Sequence, residues 1–123
     1  MHVKLATINL EVADPRRSQR FYQEVLGMVE DPRRSHPPTF VYLRSEGCDL
    51  TITTPQEAAG AQPSPTMELG FEVDDFEAMR SHLAAAGIPD THEQSMGWGQ
   101  AFELKDPDGH RVVVYSFRRS DRS

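Results

Sequence analysis

The sequence predicts an α+β fold made of two tandem βαβββ modules, whose strands form a curved, cup-shaped mixed β-sheet with the helices outside. Three observations carry this expectation. A short stretch of period-two hydrophobicity followed by a capped amphipathic helix occurs twice. The apolar positions of the two copies are related by one constant offset. Each copy then runs into further strand patterns separated by a turn sequence.

In the first copy, Ile8, Leu10 and Val12 alternate with Thr7, Asn9 and Glu11, the signature of a half-buried strand. Asp14-Pro15 follows, an N-cap residue with proline at the first helical position, where its missing N–H costs nothing. Phe21, Tyr22, Val25 and Leu26 recur at helical spacing, and Gly27 ends the helix. The stretch from Phe40 to Gly47 and a short strand from Leu50 to Thr54 complete the module.

In the second copy, Leu69, Phe71 and Val73 alternate with Glu68, Gly70 and Glu72, Asp74-Asp75 provides the cap, and Phe76, Met79 and Leu83 keep helical spacing up to Gly87. The stretch from Phe102 to Gly109 parallels that from Phe40 to Gly47. A Val-rich strand, Arg111 to Phe117, follows the turn sequence Asp106-Pro107-Asp108-Gly109. Each half therefore reads as strand, helix, then two or three strands. The expected organisation is a single domain with module 1 over residues 1–56, a linker rich in Ala, Gly, Gln and Pro over 57–65, and module 2 over 66–118. Neither half could bury its apolar strand face alone. Edge-to-edge placement of the two would leave the polar strand faces lining a concavity.

Composition narrows the function classes. Thirteen basic residues against nineteen acidic ones leave a formal charge of −6, which argues against a nucleic-acid partner. The basic pairs Arg16-Arg17, Arg33-Arg34 and Arg118-Arg119 are short, scattered and read as solvated surface. Cys48 is the lone cysteine, so an internal disulfide and a Cys-rich metal site are both excluded. No apolar run approaches membrane-span length, and Met1 to Leu5 lacks a signal-peptide pattern, so a cytoplasmic protein without a membrane partner is expected.

Five segments, in this order and spacing, resemble the vicinal oxygen chelate superfamily, the glyoxalase, bleomycin-resistance and extradiol dioxygenase group. They are residues 9–18, from Asn9 to Ser18, the stretch Phe21 to Gly27, Glu72 to Asp75, Ala84 to Gly87, and Gly97 to Gly109. The resemblance implies a half-barrel of strands. In metal-using members, four inward side chains, usually His and Glu, hold a divalent ion that polarises vicinal oxygens of the substrate. Carried over position by position, those places are Thr7, Thr51, Glu68 and Val113; the last is anchored by the family's glutamate four residues beyond the turn glycine.

Only one of these four is a good ligand, whereas a useful catalytic site needs roughly three protein donors. The family metal centre is therefore expected to be absent, and no cofactor is expected; a divalent metal returns only if the mapping is wrong. His2, His36, His82, His92 and His110 offer no pair at zinc-binding spacing, and each reads as a surface residue, His92 in a loop and His110 in a turn.

By alternation, the polar face carries Thr7, Asn9, Glu11, Thr51, Thr53, Glu68, Gly70, Glu72, Arg111, Val113 and Tyr115. A lone carboxylate in such a lining is costly unless paired, and Arg111 is the cation expected to face Glu68. The pair is either purely structural or a polar anchor or general base for a ligand. Trp98, flanked by glycines in Gly97-Trp98-Gly99, is expected on an adaptable loop. Its segment resembles the Trp-Gly loop of bleomycin-type resistance proteins, and it either stacks a flat ligand or packs over a sheet end. Phe40, Tyr42 and Phe102 add aromatic surface or belong to the core. The Pro-rich loop from Asp31 to Pro38 is a stiff cover to the cup or a mere connection.

Two functions fit this pattern. The first is a metal-independent, small-molecule-binding homodimer that sequesters an aromatic or planar ligand such as an antibiotic or toxin. Its candidate binding residues are Thr7, Asn9, Thr51, Thr53, Glu68, Trp98, Phe102, Arg111, Val113 and Tyr115. The alternative is a glyoxalase- or dioxygenase-like enzyme, an isomerase or lyase, with a reduced or relocated metal site or with Glu68 as general base. A partner-binding adaptor has no specific feature in its favour beyond the dimer the resemblance implies.

Overall fold

Both period-two stretches form strands in the expected phase, and both aspartates cap the helices that follow. The computed structural model describes residues 1–55, 63, 66–88 and 92–118. The chain divides into two compact units, Met1–Gln62 and Pro63–Ser123. Of the expected linker, only residue 63 enters the described set; 57–62, 64 and 65 lie outside it, as do residue 56 of module 1 and Arg119.

The first unit contains β1 (Thr7–Glu11), α1 (Pro15–Glu24), β2 (Val29–Glu30), β3 (Phe40–Arg44) and β4 (Asp49–Thr53). Its sheet has the order β1-β4-β3-β2, with β1 parallel to β4 and the other pairs antiparallel. The Asp14 carboxylate accepts from the Arg16 and Arg17 backbone N–H groups, satisfying donors that a helix start otherwise leaves orphaned. Gly27 takes φ +74°, a left-handed conformation that suits glycine at a helix end. Leu10, Val12, Val41, Leu43, Leu50 and Ile52 form the apolar face of the sheet and are buried, together with Tyr22 and Val25 from α1 and its C-cap. At its edge, Gln19 donates to Glu30 at 3.0 Å and Arg16 pairs with the same carboxylate at 3.5 Å, tying α1 to β2.

The second unit repeats the plan with β5 (Glu68–Glu72), α2 (Phe76–Ala85), β6 (His92–Met96), β7 (Gly99–Lys105) and β8 (Arg111–Phe117), in the sheet order β5-β8-β7-β6. Asp75 caps α2 by accepting from the Ala78 N–H. Leu69, Phe102, Leu104, Val112 and Val114 are buried in the sheet, and Phe76 and Leu83 are buried on the helix. The Phe76 and Phe102 rings stack at 4.3 Å with 5° between their planes, and Arg80 lies over both. Arg80 also pairs with Glu77 and Glu93, and these carboxylates hold its guanidinium more firmly protonated than usual.

Each unit is thus a complete βαβββ module, and the fold is α+β with two four-stranded mixed sheets. Each module has the three strands after its helix that the βαβββ plan requires; β2 and β6 form although neither shows apolar alternation, and β6 is His-Glu-Gln-Ser-Met, a polar edge strand. Two sequence expectations change. His92, expected in a loop, begins β6. His110, expected at the surface, is buried at 6% exposure within the turn before β8. That turn is closed by the Asp106 carboxylate, which accepts from the Asp108 and His110 N–H groups at 2.9 Å, and by Gly109 at φ +89°.

The two copies also differ in one hairpin. Residues 45–48 join β3 to β4, whereas 106–110 join β7 to β8, one residue more. Phe40 sits opposite Thr53, and it is Ala101 that sits opposite the corresponding Tyr115. Phe40 is therefore the counterpart of Ala101. Phe102, which matches Phe40 when the turn glycines Gly47 and Gly109 are superposed in the sequence, points to the other face, as a one-residue slip in a strand requires.

Candidate functional site

The expected polar lining lies on the face of each sheet opposite its helix. In the first unit this face carries Thr7, Asn9 and Glu11 on β1, Asp49, Thr51 and Thr53 on β4, and Tyr42 and Phe40 on β3, row by row across the register. A ladder of hydrogen bonds links the middle of it. The Thr51 hydroxyl donates to Asn9 Oδ1 at 2.8 Å, and Asn9 Nδ2 donates to Thr53 Oγ1 at 3.1 Å. This exchange orients the Asn9 amide and brings three of the expected residues together.

Tyr42 and Asp49 were not among the expected ligand contacts. Tyr42 Oη donates to Asp49 Oδ2 at 2.8 Å, while Asp49 Oδ1 accepts from the Ser45 N–H at 3.0 Å. The Ser45 N–H, then the tyrosine hydroxyl, hold the Asp49 carboxyl below its usual pKa, although burial opposes them. The hydrogen bond to Asp49 holds the Tyr42 hydroxyl above its own. The Arg34 guanidinium lies 5.3 Å from the Tyr42 ring centroid. The segment bearing Arg34 is fastened to β3: Ser35 Oγ donates to the Asp31 carbonyl and accepts from the Tyr42 N–H, both at 2.9 Å. A sequence signal for this cluster existed in the alternation of β3 and β4, which puts Tyr42 and Asp49 in phase with Thr51.

In the second unit the face opposite α2 carries Glu68, Gly70 and Glu72 on β5, Arg111, Val113 and Tyr115 on β8, and Ala101 and Glu103 on β7. Glu68 faces Arg111 in register, and their side chains pair at 3.2 Å, as the sequence suggested. Arg111 also reaches Glu103 at 3.5 Å. Glu103 was missed, although the turn ahead of β8 places it directly across from Val113. All three side chains of this triad are 41–48% exposed, so the pairing contributes little to folding.

Further along the same face stands an aromatic cluster. Trp98 meets Tyr115 and Phe117 edge-on at 6.0 and 5.7 Å, and Tyr115 meets Phe117 at 5.3 Å. Trp98 occupies the two-residue turn between β6 and β7, a tighter setting than the adaptable loop expected. Its carbonyl accepts from the Arg118 N–H at 2.8 Å. Trp98 and Phe117 keep 37% and 38% exposure, leaving ring surface uncovered. Gly70 lies beneath the Tyr115 ring, and a Cβ there would stand 3.3 Å from the ring edge. Phe102 does not join this group: it is 2% exposed and held by Phe76 on the helix side of the sheet.

The positions equivalent to the family's metal ligands can be tested within each unit. Thr51 commits its hydroxyl proton to Asn9, and Thr7 offers only a hydroxyl. Glu68 is engaged by Arg111, and Val113 has no donor atom. Hydroxyls are poor ligands for transition ions, so these residues do not fit the metal centre. Among the described residues, no group of three or more His, Cys, Asp or Glu side chains converges. Nor is any helix among them long and apolar enough to cross a membrane.

A family profile described as Glyoxalase/Bleomycin resistance protein/Dioxygenase superfamily matches residues 4–114. No curated protein sequence matches. Solved structures with the same fold include a lactoylglutathione lyase from Agrobacterium tumefaciens, 20% identical, with 94% of each chain covered and a TM-score of 0.74. A glyoxalase family protein from Bacillus anthracis is 17% identical, covering 96% of this chain and 98% of its own, at a TM-score of 0.77. A glyoxalase/bleomycin resistance protein/dioxygenase from Nocardioides is 18% identical, with 97% and 86% covered and a TM-score of 0.74. At these identities the likeness is one of fold.

Proposed function

Because the chain belongs to the Glyoxalase/Bleomycin resistance protein/Dioxygenase superfamily, we propose that it is a cytoplasmic, homodimeric small-molecule-binding protein that works without a divalent metal. Its ligand is aromatic or otherwise planar, in the manner of an antibiotic or toxin held rather than transformed. The observation that carries this reading is the state of Glu68. The one carboxylate at a family ligand position is paired with Arg111, and its companion on β8 is Val113. A metal would have to displace a guanidinium and would gain no second donor from that strand. The uncovered rings of Trp98 and Phe117, beside Tyr115, supply the surface on which a flat ligand stacks.

The half-exposed Glu68 side chain supports a second reading, a lyase or isomerase using that carboxylate as general base. It would have to be released from Arg111 when substrate binds. Fold-level likeness to a lactoylglutathione lyase raises this reading without assigning the activity.

Elemental analysis of protein purified without chelator, followed by thermal-shift titration with Ni, Zn, Mn and Fe(II), separates the two. The binding reading expects no stoichiometric metal and no stabilisation. A bound metal with a large shift overturns it, and Glu68→Gln should then abolish turnover. Quenching of Trp98, the single tryptophan, by planar aromatic compounds reports ligand binding directly. Sedimentation velocity reports the dimer.

A further inference from the structure

We propose that the corner of the first unit where β3 begins and β4 ends is a binding site for a flat, uncharged ligand that accepts a hydrogen bond. An open depression of about 460 Å³ lies there, lined by Thr39, Phe40, Thr53, Thr54 and Pro55. Its volume falls in the range of small-molecule sites. Of its lining, Thr53 was an expected ligand contact and Phe40 a candidate aromatic surface, and none of it belongs to the Trp98 cluster.

The lining specifies the ligand in three ways. The Phe40 ring is half-buried on the face opposite α1 and in register with Thr53, so it offers a π surface beside a hydroxyl. The hydroxyl is poised as a donor. Thr53 Oγ1 already accepts from the Asn9 amide, whose own carbonyl is held by Thr51, and this leaves the Thr53 proton to point at a ligand. Finally, no lining side chain among the described residues is charged. An ion entering here would find no counter-charge in the lining, and an anion would also face the carboxylate of Glu11, the register partner of Thr53, whereas a neutral amide or phenol exchanges one hydrogen-bond partner for another. His36, whose ring centroid is 6.3 Å from that of Phe40, does not line the depression.

The frame around the site is rigid. Thr54 N–H donates to the Thr39 carbonyl at 3.1 Å, and Phe40 N–H donates to the His36 carbonyl at 3.2 Å, closing the end of the β3–β4 pair. The Thr39 hydroxyl donates to the His36 carbonyl at 3.4 Å, which leaves its oxygen to accept from a ligand N–H. A primary carboxamide on an aromatic ring satisfies all three features at once.

The test titrates the full chain with benzamide, benzoate and benzylamine, which share a ring and differ in charge, and follows threonine methyl and backbone amide signals by NMR. Benzamide should shift Thr39, Phe40, Thr53 and Thr54 saturably, with a Kd on the order of millimolar for so small a fragment, and the two ions should not. Thr53→Val keeps the β-branched shape and removes the donor, and should weaken benzamide about fivefold, the worth of one hydrogen bond. Phe40→Leu should weaken it similarly, with signals of the buried Leu10 and Leu43 of the first unit reporting an intact fold in both variants. Equal binding of all three probes overturns the inference, as does unchanged affinity in both variants. The inference rests on the reading of this chain as a small-molecule binder but not on Trp98. Shifts confined to Trp98, Tyr115 and Phe117 would overturn it while leaving that reading standing; shifts at this corner alone would uphold it and remove Trp98 from the ligand surface.

Discussion

Tyr42 Oη and Asp49 Oδ2 are 2.8 Å apart, joining β3 to β4 by a hydrogen bond between a phenol and a carboxylate that also accepts from the Ser45 N–H. The phenol is at the same time covered by the Arg34 guanidinium. Hydrogen bonding and charge therefore meet at one half-exposed pair, and a pKa that differs between the folded and unfolded chain ties protonation to stability.

The linkage has a definite sign at both ends of the pH scale. The Asp49 pKa is lowered in the folded protein, so its contribution is present above the ordinary carboxylate value and is lost as pH falls through the folded value. The Tyr42 pKa is raised, so its contribution is present below the ordinary phenol value and is lost as pH rises through the folded value. Tyr42→Phe should therefore lower Tm at neutral pH, with the difference from wild type narrowing below about pH 4 and above about pH 10. Thermal melts of both proteins across pH check this. Parallel curves would show that the pair is not linked to folding.

Gly99 should tolerate no side chain, and Gly97, two residues away, should tolerate one. A Cβ at Gly99 would stand 2.1 Å from the Ser116 carbonyl oxygen and 3.0 Å from the Phe117 Cα, both backbone atoms that cannot rotate aside. A Cβ at Gly97 meets nothing within 4 Å. Gly99→Ala is expected to cost about 3 kcal/mol or more by forcing β7 from β8, against less than about 0.5 kcal/mol for Gly97→Ala. Urea denaturation measures both, and similar midpoints for the two would contradict the packing described.

Phe102 and Trp98 should divide stability from binding. Phe102→Ala removes a ring that is 2% exposed and stacked on Phe76, and is expected to cost about 3–5 kcal/mol. Trp98→Ala removes a ring still 37% exposed and should cost about 1 kcal/mol, mainly its edge-on contacts with Tyr115 and Phe117. If Trp98 is part of the ligand surface, the same change should weaken planar ligands at least tenfold, read by calorimetry since the fluorophore is gone. Intact affinity would place the ligand elsewhere.

Several features of the site could be read from the chain because they depend on local rules. Glu68 and Arg111 were matched by alternation from positions that the family resemblance anchors at the turn glycine, and they pair at 3.2 Å. Thr51, Asn9 and Thr53 were placed on one face in the same way and are joined by hydrogen bonds. Tyr42 and Asp49 share that face too, but aromatic residues suit a core as well as a lining, and composition does not distinguish the two. Strand β6 escaped because an edge strand with a polar sequence shows no apolar alternation; it forms by pairing with β7.

What the sequence by itself determined is the duplicated module: its helices, their aspartate caps, its core-facing strand residues and its tight turn before β8. These follow from periodicity, capping and turn chemistry, each acting over a few residues. Tertiary structure alone decided which aromatic rings stand on the sheet face opposite the helix. Residues 106–110 make one hairpin a residue longer than its twin at 45–48, and the side-chain period in a strand is two. That single residue sends Phe102 into the core against Phe76, while Phe40 remains on the face with Thr53. Pairing register, which only the assembled sheet sets, turned two look-alike phenylalanines to opposite faces.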